Sequence, residues 1–176
     1  MKIGKDVIID SDVTFKRPSL VEIGNHVAID KGVYITTTVE IGNYVHISPY
    51  VTCIGGKEGK FIAKGFNNIM SGAKIICASD RFDNSGLFGA MIPEKYKGKQ
   101  IIEPVILEEY SNLGTNAVMM PGSILRKGAL LTIGSVLFGD TEEFGVYKGN
   151  PAKLVKKIDG KKIIELGNKL KEINNE

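Results

Sequence analysis

Large apolar residues recur every six positions through the second half of the chain, and a small residue follows four positions after each. The large positions are Leu107, Leu113, Met119, Leu125, Leu131 and Leu137, and the small ones are Ser111, Ala117, Ser123, Ala129 and Ser135. A period of six fits neither an α-helix, which repeats at about 3.6, nor a single strand, which repeats at about two. The pattern predicts a coil of short strands that turns a corner after each hexad and buries its large residues in a narrow core.

The same hexad runs through the first half of the chain. Its large positions are Ile3, Ile9, Phe15, Ile23, Ile29, Ile35, Ile41, Ile47 and Cys53. The motif Ile-Gly-Asn at residues 23–25 returns eighteen residues later at 41–43. This spacing predicts that three hexads complete one turn of a triangular coil, so that residues eighteen apart stack. Interruptions at residues 17–20 and 55–60 predict loops that leave a corner.

Two segments depart from the hexad. Residues 80–103 lose the period altogether, and a structureless excursion of this length in a compact domain is more often functional than idle. Residues 161–174 carry apolar residues at helical spacing and predict a short helix that covers the open end of the coil. The expected organisation is a coil domain over residues 1–157, with its loop at 80–103, followed by a capping helix in residues 158–176.

Composition and charge narrow the possible functions. With 43% apolar residues and a net charge of +3, the chain is expected to be one globular domain with little electrostatic attraction for nucleic acid. It has no apolar run that would span a bilayer and no signal segment, so we expect no membrane insertion and a cytoplasmic location. Cys53 and Cys77 lie in apolar, strand-like stretches, which favours buried thiols over a disulfide.

The hexads resemble those of the hexapeptide-repeat acyltransferases, and the likeness is strongest at residues 119–122 and in Val-Tyr-Lys-Gly-Asn-Pro-Ala-Lys at 146–153. The resemblance implies an all-β fold, a left-handed parallel β-helix, which usually assembles as a homotrimer. It also implies acetyl-CoA as acyl donor, bound in a groove between subunits. Within the family the chain is most similar to sugar O-acetyltransferases of surface-polysaccharide pathways and to relatives that N-acetylate nucleotide-linked amino sugars.

The resemblance also implies where the coenzyme binds. By position, Thr115 and Ile133 match family contacts to the pantetheine arm. The places that hold the adenine and phosphates carry Lys148, Asn150, Pro151 and Lys153. Two ammonium groups suit phosphate, although solvated surface lysines are the alternative. Many relatives have a Thr-Lys pair where this chain has Phe138 and Gly139, so one common coenzyme contact has no counterpart.

Transfer of an acetyl group to a sugar hydroxyl requires a base, and histidine is the usual one. The chain has two histidines, too few for the three-histidine zinc site of carbonic anhydrases that share this fold, and no metal is expected. Alternation along the hexad turns His46 outward, with Ala28 and Asn68 as its expected neighbours in the adjacent coils. His46 is the first candidate for the base and His26, at a corner, the second. An ordinary surface imidazole is the alternative for each.

The start of the loop supplies the remaining candidates. In the sugar O-acetyltransferases the base commonly follows the hexads that end here at Ile75, but Asp80 stands at that place. Asp80 would orient the histidine or bind the acceptor, unless it merely begins a loop turn. The expected acceptor contacts are Asn68, Ser79, Arg81 and Phe82, with Arg81 for phosphate and Phe82 for stacking. Packing of the loop aromatics against the coil is the competing explanation.

Three functions follow from these features. The first is acetyl-CoA-dependent acetylation of a sugar hydroxyl. The second is N-acetylation of a nucleotide-linked amino sugar, in which a neutral amine attacks directly and needs no histidine. The third is a non-catalytic scaffold or binding subunit, whose repeats supply only a rigid prism.

Overall fold

The computed structural model describes residues 1–173, which form short strands wound into a parallel coil. The first strands are β1 Lys2–Ile3, β2 Val7–Ile9, β3 Thr14–Phe15, β4 Val21–Ile23, β5 Val27–Ile29, β6 Tyr34–Ile35, β7 Thr38–Asn43, β8 His46–Ile47, β9 Thr52–Ile54, β10 Lys60–Gly65, β11 Asn68–Ile69 and β12 Lys74–Ile76. The later strands are β13 Ala78–Asp80, β14 Gln100–Ile102, β15 Val105–Leu107, β16 Asn112–Leu113, β17 Val118–Met119, β18 Ile124–Leu125, β19 Leu130–Leu131, β20 Val136–Leu137, β21 Gly145–Gly149 and β22 Ala152–Lys157. Turns of 3-10 helix occupy Pro18–Leu20 and Glu94–Tyr96, and the α-helix α1 spans Lys161–Ile173. The predicted parallel β-helix with a short C-terminal helix is confirmed.

Three sheets form the faces of a triangular prism. The first face contains β1, β4, β7, β10, β15 and β18, and the third contains β3, β6, β9, β12, β17 and β20. The second face contains β2, β5, β8, β11, β16, β19 and β21, with β22 added antiparallel to β21. Val21 pairs with Val39 and Ile23 with Ile41, so residues eighteen apart stack as predicted.

The large hexad residues point into the prism. Those from Leu107 to Leu137 are at most 1% exposed, and so are the small residues that follow them. Each coil packs its large side chains against those of the coils before and after it. The first turn is different: β1 pairs with β4 of the next coil, and Ile3 is 48% exposed.

The repeated Ile-Gly-Asn motif forms a tight corner between the first and second faces. Asn43 accepts a hydrogen bond from the backbone N–H of Asn25 at 2.8 Å, and Asn25 accepts one from the N–H of Lys5 at 2.7 Å. A Cβ on Gly24 would lie 2.8 Å from the carbonyl carbon of Gly42. In this motif the asparagine side chain accepts a hydrogen bond from a backbone N–H at the corner. The glycine is small enough for adjacent coils to come into contact there.

All three interruptions of the hexad leave the same edge, between the third and first faces. They lie between β3 and β4, between β9 and β10, and between β12 and β15. The longest was expected to be structureless, but it contains an antiparallel hairpin of β13 and β14, in which Asp80 pairs with Gln100. The expectation was wrong because β13 and β14 form hydrogen bonds with each other and not with the coil. Strands that pair in this way do not need the six-residue pattern from which the coil was predicted.

Helix α1 packs along the edge between the first and second faces. A Cβ on Gly167 would lie 2.2 Å from Tyr110 Oη, so the glycine allows this close approach. Lys171 Nζ lies 2.7 Å from Glu109 Oε1 and 5.2 Å from the ring centre of Phe66. These contacts lie on the side of the coil, where aromatic rings offer apolar surface, and not across its open end as predicted. Residues 174–176 of the predicted capping segment lie outside the described residues.

The two cysteines lie in adjacent coils, Cys53 in β9 on the third face and Cys77 just after β12, where the loop leaves. Both are buried and free, as predicted. Burial and the neighbouring Cys77 raise the pKa of the Cys53 thiol. A buried thiol with a raised pKa is a poor nucleophile, so Cys53 serves the packing of the core.

A chain of ion pairs crosses four coils beside the first face. Glu108 accepts hydrogen bonds from Lys64 Nζ at 3.0 Å and from the N–H of Lys127 at 3.1 Å. Arg126 lies 3.5 Å from Glu108 and also pairs with Asp140. Burial raises the pKa of Glu108, but the hydrogen bonds and the charges of Lys64 and Arg126 outweigh burial and hold this pKa below its usual 4.5.

This network predicts a pH-dependent contribution to stability. A lowered carboxyl pKa stabilises the fold above about pH 4.5, and the gain is lost as the pH falls through the folded-state value. We expect Glu108→Gln to cost about 1 kcal/mol at neutral pH and progressively less below pH 4.5. Urea midpoints measured across this pH range, with exposed Glu58→Gln as control, would show it. A Glu108→Gln loss that stays constant down to low pH would contradict the prediction.

Candidate functional site

Four aromatic side chains form a stacked row at the edge between the first and second faces. Its members are His26, Tyr44, Phe66 and Tyr110, with ring centres 4.8 Å apart at each step. All four residues have positive φ angles, between 53° and 64°, at the same corner of successive coils. Each precedes a buried, inward residue, and that spacing could have revealed the row from the sequence.

A groove of about 500 Å³ runs beside this row and under helix α1. Its lining residues are Lys5, Asn25, His26, Asn43, Tyr44, Lys64, Gly65, Phe66, Glu109 and Lys171. His26 is held there by stacking and by a contact of 2.8 Å between its Nδ1 and Oδ2 of Asp6. The second candidate base is therefore part of the packing of this edge.

His46 lies outward on the second face, between Ala28 and Asn68 as predicted from the hexad. Its Nε2 lies 2.9 Å from Oδ2 of Asp30, and 45% of its side chain is exposed. Sequence reasoning missed Asp30, although its place could have been found: it follows Ala28 by two positions and so shares the face of His46. The pair is a carboxylate-held imidazole open to solvent.

The other acceptor candidates lie on the hairpin at the edge between the third and first faces. Gln100 Nε2 donates to Asp80 Oδ1 at 2.9 Å, and Ser79 Oγ donates to the carbonyl oxygen of Asp80 at 3.2 Å. Arg81 pairs with Asp83 at 3.3 Å, which occupies part of its charge. Phe82 is 82% exposed, with its ring 5.4 Å from that of Phe88. Phe82 therefore contacts another ring of the loop and is otherwise largely exposed to solvent.

The six coenzyme candidates gather at one place, beside the edge between the second and third faces. Thr115 and Ile133 stack there in successive coils, since the carbonyl of Thr115 accepts the N–H of Gly134 at 2.9 Å. The remaining four belong to the β21–β22 hairpin and are exposed: Lys148, Asn150, Pro151 and Lys153. The hairpin reaches the same edge, where the N–H of Gly149 donates to Ser135 Oγ at 3.0 Å.

The candidates thus occupy three separate places on one chain. His46 and Asn68 share the second face, the coenzyme candidates lie at one of its borders, and the Asp80 hairpin leaves the opposite edge. His46 and Asp80 are not in contact: the first pairs with Asp30 and the second with Gln100.

Residues 1–173 contain no cluster of three or more His, Cys, Asp or Glu side chains that could hold a metal ion. Over the same range, no helix has the length and apolar character needed to cross a membrane.

Comparison with known proteins assigns the chain to a family. The bacterial transferase hexapeptide (six repeats) model matches residues 20–55. A protein from Lysinibacillus sphaericus named "Probable macrolide acetyltransferase" is 30% identical over 128 residues, which cover 65% of this chain and 67% of that protein. The chain belongs to the hexapeptide-repeat acyltransferases. The predicted family and its enzyme class, an acyltransferase, are therefore confirmed.

Two other acyltransferases match nearly the whole chain. The dTDP-4-amino-4,6-dideoxy-D-glucose acyltransferase of Escherichia coli is 28% identical over 93% of this chain and 85% of its own length. AntD, an N-acyltransferase from Bacillus cereus solved with dTDP and 3-hydroxybutyryl-CoA, superposes with a TM-score of 0.93 at 28% identity and covers 99% of this chain and 92% of its own. Other AntD structures carry replacements of a serine or an aspartate, and some contain dTDP-4-amino-4,6-dideoxyglucose with coenzyme A.

Proposed function

We propose that this acyltransferase moves an acyl group from a CoA thioester to the amine of an amino sugar carried on a nucleoside diphosphate. The observation that carries the proposal is the match to AntD, which extends over 99% of the chain and so takes in the loop as well as the coil. Both near-full-length relatives are named for N-acylation or for a dTDP-linked amino sugar. These names favour the second sequence-based hypothesis over acetylation of a polysaccharide hydroxyl.

The chemistry of the loop supports the same choice. A sugar hydroxyl ionises far above neutral pH and needs a strong, well-placed base, whereas an amine attacks as soon as it is neutral. Asp80 stands where O-acetyltransferases commonly carry histidine, and its carboxylate suits an ammonium or hydroxyl of the acceptor. Ser79, Arg81 and Phe82 surround it on the same hairpin and are proposed as acceptor contacts.

The coenzyme candidates fit a CoA thioester. Lys148 and Lys153 face each other across the β21–β22 hairpin, and neither forms an ion pair within residues 1–173. Two unpaired ammonium groups attract the phosphates, and Asn150 and Pro151 lie in the turn between them. Thr115 and Ile133 continue the same edge and are proposed to contact the pantetheine arm.

A complete site needs residues from more than one edge of the prism. The coenzyme candidates and the acceptor hairpin lie on different edges of one chain, so a second copy is required to bring them together. We therefore propose the homotrimer that the family resemblance implies, with each site formed between neighbouring copies.

A matched pair of acceptors tests the function. We expect thiol release from acetyl-CoA or 3-hydroxybutyryl-CoA with dTDP-4-amino-4,6-dideoxyglucose, and none with the analogue that has a hydroxyl at C4, because the hydroxyl is the weaker nucleophile. Turnover of the hydroxyl analogue alone would support O-acylation. Absence of both turnover and acyl-CoA binding in calorimetry would overturn the proposal in favour of the scaffold hypothesis.

A further inference from the structure

Helix α1 contacts the prism through a face other than its main apolar one. Gly167 meets Tyr110, and Lys171 pairs with Glu109. The residues of the apolar stripe are between 37% and 69% exposed: Ile163, Leu166, Leu170 and Ile173. Their spacing of three, four and three residues places them in one line along the helix. The stripe that was predicted to cover the coil therefore lies at the surface.

The apolar stripe lies to one side of the helix. With about 3.6 residues per turn, it is centred roughly a quarter turn around the axis from the face that carries Gly167 and Lys171. Helix α1 follows an edge of the prism, where the two adjoining faces fall away from it. A second helix can therefore reach the stripe without meeting the prism.

We infer that the apolar stripe is an interface between two copies of this chain, whose α1 helices pack antiparallel about a two-fold axis. The inference does not depend on the proposed function. Apolar residues spaced alternately by three and four positions form the seam of a two-helix coiled coil. Both copies use the same surface in a two-fold contact, so one stripe on each chain is sufficient.

The charges beside the stripe favour the antiparallel direction. Along one flank they alternate in sign, in the order Lys162, Glu165, Lys169 and Glu172. In an antiparallel pair this flank meets its own sequence reversed, so Lys162 faces Glu172 of the partner subunit. In a parallel pair it would face the opposite flank, where Gly167 stands and offers no charge. Complementary charges of this kind set the orientation of an interface more than its strength.

The same flank also carries ion pairs within one helix. Glu165 lies 3.5 Å from Lys162 and 2.7 Å from Lys169, and the three side chains are largely exposed. Exposed pairs contribute little to stability, so they can be exchanged for pairs between copies. The helix has 13 residues and a length of about 20 Å, which gives less area than the roughly 1,600 Å² of a standard interface. The association is therefore expected to be weak and to depend on concentration.

The mass of the particle, measured by analytical ultracentrifugation over a range of concentrations, tests the interface. We expect the wild-type mass to double as the concentration rises, whatever the number of copies in the smaller particle. Leu166→Lys should abolish the doubling, because it places an ammonium group in the apolar stripe. Asn168→Lys is the matched control: it adds the same charge at an exposed position outside the stripe and should leave the doubling unchanged. Both variants should keep the wild-type unfolding midpoint.

An exchange of charges tests the direction of the helices. Lys162→Glu and Glu172→Lys should each lower the association constant by at least about tenfold, because like charges then face each other. The double variant should recover most of this loss. The two positions are about 15 Å apart along one helix, so they cannot pair within a copy, and recovery requires contact between copies.

Four results would overturn the inference. The first is a wild-type mass that stays constant up to about millimolar concentration. The second is an equal loss of doubling in Leu166→Lys and Asn168→Lys, and the third is a double charge variant that recovers nothing. The fourth is a fall of the mass to one third in Leu166→Lys, which would place the stripe inside the proposed trimer. None of these measurements involves turnover, so each result leaves the proposed function to its own test.

Discussion

Replacing Leu113 with alanine is expected to lower the free energy of unfolding by about 2–5 kcal/mol. Leu113 is fully buried on the second face, where β16 stacks it between Ile69 and Leu131 of the adjacent coils. Truncation leaves a cavity that these neighbours cannot fill, since the strands fix their positions. In a solenoid each coil contacts only its neighbours, so a weakened central coil also uncouples the two ends.

Urea or thermal unfolding of Leu113→Ala measures this loss. The control is Ile8→Ala, which removes a similar side chain that is 66% exposed and should cost within about 0.5 kcal/mol. A broadened transition for Leu113→Ala would indicate that the halves unfold separately. Equal losses in the two variants would contradict the assignment of Leu113 to the core.

Gly42→Ala is the second substitution with a large expected effect. A Cβ at this position would lie 2.3 Å from the carbonyl oxygen of Lys64 in the next coil, and backbone atoms cannot turn aside as a side chain can. The coils would have to separate at this corner, which is expected to cost about 1–3 kcal/mol or more.

The matched control for Gly42→Ala is Gly56→Ala. Gly56 has a φ of +65° but nothing within 4 Å of a Cβ, so its substitution tests backbone conformation alone, at a cost of about 1–2 kcal/mol. We expect Gly42→Ala to show the lower unfolding midpoint of the two. The reverse order would mean that the corner can expand without losing its strand pairing.

The coil could be predicted from the sequence because its core residues repeat at a fixed spacing. Every hexad uses the same large and small positions, so inward residues such as Leu125 and the stacking of residues eighteen apart could be predicted from spacing alone. The neighbours of His46 followed from the same register. The position of helix α1 did not, because it depends on a glycine that meets Tyr110 and on an aromatic row whose members are far apart in sequence.

The candidate site was harder to predict from the sequence than the fold was. The two-residue offset that places Asp30 beside His46 was present in the hexad, but carboxylates at outward positions are common and nothing in the pattern distinguished this one. The Asp80 hairpin is held by hydrogen bonds between its own two strands. These bonds do not follow the six-residue period, so the sequence pattern did not predict them. The proposed assembly of the edges into one site depends on contacts between copies, and such contacts leave no regular spacing in the chain.

The shared edge of the three insertions has an evolutionary consequence. The loop leaves after Cys77 and returns with the N–H of Glu103 bonded to the carbonyl oxygen of Cys77 at 3.1 Å, so its two ends meet at one point of the prism. Segments whose ends already meet can be lengthened, shortened or exchanged at little entropic cost to the scaffold. Under the proposed function, acceptor preference can therefore diverge by replacement of this loop while the proposed coenzyme site, on another edge, is inherited unchanged.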